Sequence, residues 1–173
     1  GVNHYPWVNI TTTVGSLIIN QNASVTAAGT RTLTVGGSVQ IDASSGGANR
    51  MGILTWDSSG TLAIGSGLTI NGNFTVGHAS ATITVAGNAT VGVAAARLLS
   101  TASAANFDIE GGLTNNGTLE PETVKVGGSW VNDGTYNRET GTVTIDGASG
   151  TIDTNKNSFY NLVIPSGSTY TAQ

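Results

Sequence analysis

Cysteine is missing from all 173 residues. That excludes disulfides, thiolate metal sites and cysteine nucleophiles. Charge is nearly missing too: only 9% of residues are Asp, Glu, Lys or Arg, against about 25% in ordinary globular chains. Thr, Ser, Asn and Gly stand where Lys and Glu normally would. The few charges sum to −4 and the sequence pI is near 4.8. A basic face for nucleic acid and a polybasic patch for a membrane surface are therefore both lacking. Nor does any apolar run approach the ~20 residues that cross a bilayer as a helix. Neither nucleic acid nor membrane insertion is expected. Hydrophobic residues still make up 38% of the chain, too much for a disordered polar tail. A low-charge chain rich in Thr, Asn and Gly reads as exported, either extracellular or at the cell surface. The first residue is Gly, as in a mature chain after signal cleavage or an excised segment of a longer one.

What is present is repetition. LTVGGSVQI runs from Leu33 to Ile41, LTINGNFTV from Leu68 to Val76, ITVAGNATV from Ile83 to Val91, and VKVGGSWVN from Val124 to Asn132. Aligned on a turn residue, Gly37, Gly72, Gly87, Gly111, Gly128 and Gly147 share one slot, with Gln21 and Ser166 as weaker members. The repeat is about 15 to 19 residues by subtraction of those positions, with one copy hidden near Ile53 to Ile64. Within each copy apolar residues alternate with polar ones, the period of a strand with one buried face. Val35, Val39, Ile70, Phe74, Val85, Val126 and Trp130 are the expected core. The glycine pairs read as hairpin turns or as solenoid corners, both calling for positive φ at a turn residue. Repetition favours the corners. One short rung cannot bury its own apolar face, whereas stacked rungs share a continuous core. The expected fold is all-β: a β-solenoid of about 8–10 short rungs, as a right-handed β-helix. A β-sandwich is the rival. Residues 1–16 read as an N-terminal extended segment and 17–173 as one solenoid domain. An irregular or short helical insertion is expected near 91–107, where Ala, Arg and Leu cluster.

Motifs of the TVNGNLTV kind, with GSWVNDGTYN, GTVTIDG and NSFYNLVI, resemble the β-solenoid repeats of bacterial and archaeal surface proteins. These include adhesins, autotransporter passenger regions and sheath proteins. The resemblance covers the chain from Leu17 onward. It implies an architecture and a place on the cell surface more than an activity.

Candidate chemistry is sparse. Asp108 and Glu110 flank Ile109, Glu110 and Asp146 share a slot, and Glu120 and Glu122 flank Pro121. Such pairs read as a solvated face, with weak calcium binding as the alternative. His4 and His78 lack partners at metal spacing. No nucleophile elbow or phosphate loop occurs. No cofactor, metal or catalytic residue is expected, and the chain is read as not an enzyme. Five Asn-x-Ser/Thr sequons, at Asn9, Asn22, Asn73, Asn88 and Asn116, are candidate N-glycosylation sites. Their number is close to chance for a chain with 16 Asn and 42 Ser or Thr. Asn22, Asn73 and Asn88 share one repeat slot in this alignment, so an Asn ladder explains them equally well. Thr-x-Thr recurs at Thr32 and Thr34, Thr82 and Thr84, and Thr142 and Thr144, but Asp108, Lys125 and Val163 interrupt any ice-binding array. Trp7, Trp56, Trp130, Tyr136 and Tyr160 are candidates for a sugar platform, with Trp130 assigned to the core.

Two functions remain. The first is a non-enzymatic structural protein, a subunit or segment of a surface filament, sheath or adhesin that assembles through its end strands. Its contacts would be Tyr5, Trp7, Val8, Ile10 and Tyr170, and its partner would be itself, head to tail, or adjoining repeats of a larger chain. The second is a carbohydrate-binding or adhesive module whose partners are surface glycans.

Overall fold

The computed structural model describes residues 7–43, 51–93, 95–100, 105–137, 140–155 and 157–173. Among them every regular element is a strand. In chain order these are Trp7–Val8 (β1), Thr12–Val14 (β2), Leu17–Ile19 (β3), Ser24–Gly29 (β4), Leu33–Val35 (β5) and Val39–Ile41 (β6). Then come Ile53–Ser58 (β7), Thr61–Ile64 (β8), Leu68–Ile70 (β9), Asn73–Val76 (β10), Thr82–Val85 (β11) and Ala89–Val91 (β12). Next are Arg97–Ser100 (β13), Asn106–Ile109 (β14), Leu113–Asn115 (β15), Thr118–Leu119 (β16), Thr123–Val126 (β17) and Trp130–Asn132 (β18). The last are Thr135–Tyr136 (β19), Thr142–Ile145 (β20), Ser149–Asp153 (β21), Asn161–Val163 (β22) and Thr169–Ala172 (β23).

As far as β21 every third strand joins the same sheet, after which β22 returns to sheet B and β23 to sheet C. Sheet A is β1-β4-β7-β10-β13-β16-β19, sheet B is β2-β5-β8-β11-β14-β17-β20-β22, and sheet C runs from β3 to β23. The neighbours are parallel throughout, from β1 with β4 to β21 with β23. This is a β-solenoid of about seven turns, fewer than the expected 8–10. A β-sandwich is overturned, because its sheets are antiparallel. The counts differ because a turn uses three strands, and its length varies. Val14, Val35, Ile64, Val85, Ile109, Val126 and Ile145 stand in one column, so successive turns take 21, 29, 21, 24, 17 and 19 residues.

Each nine-residue repeat is therefore two strands and a corner, not a whole rung. LTVGGSVQI, ITVAGNATV and VKVGGSWVN each hold a B strand, the B–C corner and a C strand. LTINGNFTV holds a C strand, the C–A corner and an A strand. Gly72 and Gln21 thus sit at a different corner from Gly37, Gly87, Gly111, Gly128 and Gly147. Gly65 and Ser66 lie at the B–C corner of the third turn. The expected positive φ is absent from the six aligned glycines, though Asn22 adopts it beside Gln21 and Gly167 beside Ser166. Among the described glycines only Gly29 and Gly167 adopt it. The corner glycines answer to space instead. A Cβ on Gly111 would lie 2.6 Å from the Gly87 carbonyl oxygen of the turn before it, and one on Gly87 would lie 2.9 Å from that of Ser66.

All seven expected core residues are buried at 1% exposure or less. They belong to inward columns that run the length of the molecule. In sheet B, Leu33, Leu62, Ile83, Phe107, Val124 and Val143 stack in register. In sheet A, Ala27 stacks on Trp56, and a small residue beside the indole makes the column fit. Trp56 and Tyr136, left between core and platform by the sequence, are both buried. Between 91 and 107 the chain forms β13 and the first two residues of β14, with an irregular corner before β13 and no helix among the described residues. Residues 94 and 101–104 lie outside the described residues. The ladder also starts before residue 17, since β1 pairs with β4 and β2 with β5.

Candidate functional surfaces

A solenoid leaves three outward faces and two ends for function. On sheet B the outward residues form two columns. Thr61, Thr82, Asn106, Thr123, Thr142 and Asn161 make one. Thr13, Thr34, Ala63, Thr84, Asp108, Lys125, Thr144 and Val163 make the other. The Thr array is broken at Asp108 and Lys125, as the sequence implied. There the Lys125 ammonium sits 3.5 Å from an Asp108 oxygen and 3.0 Å from an Asp146 oxygen. Its pKa is raised, first by the hydrogen bond to Asp146 and then by the charge of Asp108. Glu110 and Asp146 do share a corner slot, with Gly127 between them in the stack.

Among the described residues no group of three or more His, Asp or Glu gathers at metal-binding range. His78 accepts a 3.1 Å hydrogen bond from the Ser80 amide at Nδ1, the bonding of a local turn. His4 lies outside the described residues. Glu120 accepts from the Asn137 amide at 3.0 Å, bridging two turns.

The sequons occupy different places. Asn9, Asn22, Asn88 and Asn116 are exposed; Asn73 is half-buried inside β10. Asn22 adopts φ 61 at the C–A corner. Asn88 lies at the B–C corner, so it does not share the slot of Asn22 and Asn73. Its Oδ1 accepts the Gly112 amide of the next turn at 2.8 Å. No ladder links these three. The amide ladder lies elsewhere, on inward positions that the sequence reading left unassigned. Asn115 and Asn132 take over, fully buried, from the column of Ile41, Ile70 and Val91. The Asn115 amide donates to Asn132 Oδ1 at 2.6 Å and to the Thr135 carbonyl at 3.0 Å, while Asn115 Oδ1 accepts the Gly117 N–H at 3.1 Å. The matching phrases LTNNGT and WVNDGT carry that signal, with Asn two residues after an inward Leu113 or Trp130.

Beside sheet C runs a shallow polar groove of about 480 Å³, lined by Asn88, Thr90, Gly112, Thr114, Ser129 and Ser149, among others. None of the candidate platform aromatics lines it. Trp130 and Tyr136 are buried edge to face with Phe159, at ring centroid distances of 5.2 Å to Trp130 and 6.3 Å to Tyr136. Trp7 and Tyr160 are exposed, at opposite ends.

The ends are the most apolar surfaces. Trp7, Val8, Ile10, Val14 and Leu17 line a groove of about 350 Å³ over Val25 and Leu33. Trp7 is 65% exposed and Ile10 60%. At the other end Leu162 is 39% and Ile164 41% exposed. Among the described residues, no strand pairs beyond β2 and β3 at one end or β22 and β23 at the other. Of the expected contact residues, Trp7, Val8 and Ile10 lie at the open first turn. Tyr5 lies outside the described residues. Tyr170 turns back on its own molecule: its ring packs against Gly150 and its hydroxyl lies beside Gly147. Burial raises its pKa, and the Asp146 carboxylate adds to the effect. Among the described residues no helix is long and apolar enough to cross a membrane. The chain matches no protein-family model, no curated protein and no solved structure.

Proposed function

We propose that the chain is a non-enzymatic extracellular structural protein, a subunit or segment of a surface filament, sheath or adhesin extended through its end strands. It works without a cofactor, by geometry alone. One observation carries this reading: parallel sheet edges lie beside exposed apolar residues at both ends of the described ladder. An open edge with an apolar face is a template for another strand. Each turn already makes this contact with the next, so a second copy or further turns of a longer chain would repeat chemistry the molecule uses internally. Electron microscopy of the native material, labelled with an antibody to this chain, tests the reading. Label along filaments, sheaths or a surface layer is the expected result; label confined to the cell interior would overturn it.

The groove beside sheet C favours a second reading, a carbohydrate-binding or adhesive module. Its neutral hydroxyl and amide lining suits sugar hydroxyls. Binding on a glycan array, lost on Thr114→Val, would support it. In a glycosylating host the exposed Asn9, Asn22, Asn88 and Asn116 are the proposed acceptors, and half-buried Asn73 the poorest. Intact-mass measurement with and without glycan removal decides this.

A further inference from the structure

The two ends carry a register as well as an edge. Leu162 continues the inward sheet B column above Val143, and Ile164 stands two residues on, facing the same way by alternation. Among the described residues, both are apolar members of core columns that no following turn covers. At the first turn, Thr12 and Val14 begin those same columns, stacking on Leu33 and Val35. Their outward neighbours are Val163 at one end and Thr13 at the other. None of the strands concerned, β2, β3, β22 and β23, holds a charged residue. Facing end strands would meet without like-charge repulsion, and the groove over Val25 and Leu33 accepts apolar side chains.

We infer that the partner at these ends is a second copy of this chain, docked head to tail. Strand β22 of one copy pairs in parallel with β2 of the next, placing Leu162 over Thr12, Ile164 over Val14 and Val163 beside Thr13, and in sheet C the same register brings Ala172 over Leu17. This rests on the structural reading above and names its partner and register. The contact uses different surfaces on the two copies, so it propagates instead of closing as a dimer. Among the described residues sheet A has seven strands where B and C have eight. The junction therefore steps at sheet A, where Phe159 already packs on Trp130 and Tyr136.

The test uses the missing cysteine. In register, the Cα atoms of Thr13 and Val163 from two copies lie about 4.8 Å apart, inside the range a disulfide spans. The double variant Thr13→Cys/Val163→Cys should give, on mild oxidation, a denaturing-gel ladder of dimers, trimers and longer species. A mixture of the two single variants should stop at dimers. A control pair, Thr13→Cys/Thr171→Cys, which joins two different sheets, should give no ladder. Wild-type sedimentation, run alongside, reports assembly without regard to register. Assembly with no ladder from the double variant would overturn the register and leave the structural reading standing. Dimers from Thr13→Cys alone would show head-to-head contact and overturn the inference. If wild type and all variants sediment as monomers over a wide concentration range, both the inference and end-to-end assembly fall.

Discussion

Asn115 and Asn132 are buried where neighbouring turns put Ile or Val, so each must be held by hydrogen bonds or cost free energy. Removing one partner strands the other. Asn115→Val should therefore destabilise by about 1–3 kcal/mol in urea unfolding. Asn115→Val/Asn132→Val should cost less than the sum of the two single changes, because neither amide is then left alone. Strict additivity would show that the pair is not coupled. This pair was legible only in part. Alternation assigns both positions inward, but a polar side chain there reads as a break in the pattern until the register shows the two in contact. The apolar inward residues had no such ambiguity. Titration belongs to this scale as well. Lys125 and Tyr170 both have pKa values raised above their ordinary 10.5 and 10.0. A raised folded pKa gives stability that is whole below the unfolded value and lost as pH rises through the folded one. The urea midpoint should hold from pH 7 to 9 and fall above about pH 10. Tyr170→Phe should remove the tyrosine share of that loss. Lys125 is half-exposed, so its share is on the order of 0.5 kcal/mol or less after screening.

At the scale of elements, the B–C corner is the constant unit. From the second turn to the sixth it takes three residues between Val35 and Val39, Ile64 and Leu68, Val85 and Ala89, Ile109 and Leu113, and Val126 and Trp130. That constancy made the nine-residue phrase visible in the sequence. The corners flanking sheet A vary in length, so they blurred the repeat and hid the three-strand turn. LTINGNFTV was misplaced for a physical reason: a C–A corner with Gly72 has the same composition as a B–C corner, and only ladder partners distinguish them. The glycines at these corners should not respond alike to substitution. A Cβ at Gly111 meets the backbone of Gly87, whereas one at Gly15 meets nothing within 4 Å. Gly111→Ala should cost about 1–3 kcal/mol by overpacking. Gly15→Ala should be neutral or slightly stabilising, through the unfolded chain. Equal effects at the two sites would contradict the stacked-corner geometry. Within the strands, Phe74→Ala should cost about 3–5 kcal/mol, since Phe74 packs between Leu54 and Leu98 in a fully buried column. A loss below about 1 kcal/mol would mean that the register is wrong.

At the scale of the whole molecule, about seven turns at ~4.8 Å each make a column roughly 35 Å long. The fold class was legible because repetition and two-residue alternation act on every turn alike. The partner was legible only as a second copy or adjoining repeats, because strand edges read the same in sequence whichever covers them. Far-ultraviolet circular dichroism should show strand with little helix. More than about one-third helix, the level of ordinary globular domains, would contradict this architecture.

The contrast between the constant spine at the B–C corner and the variable corners beside sheet A bears on how the chain tolerates cutting and grafting. Extra length is absorbed between Val76 and Thr82, a longer corner than the one between Ser58 and Thr61, without shifting the ladder partners on either side. A peptide spliced in there would be displayed along one flank. A protease nick at the same place would leave both fragments held by the strands above and below. Cut at the spine, the chain would lose a corner that stacks on its neighbours in adjacent turns. Such a molecule can diversify along one edge while the other keeps it in one piece.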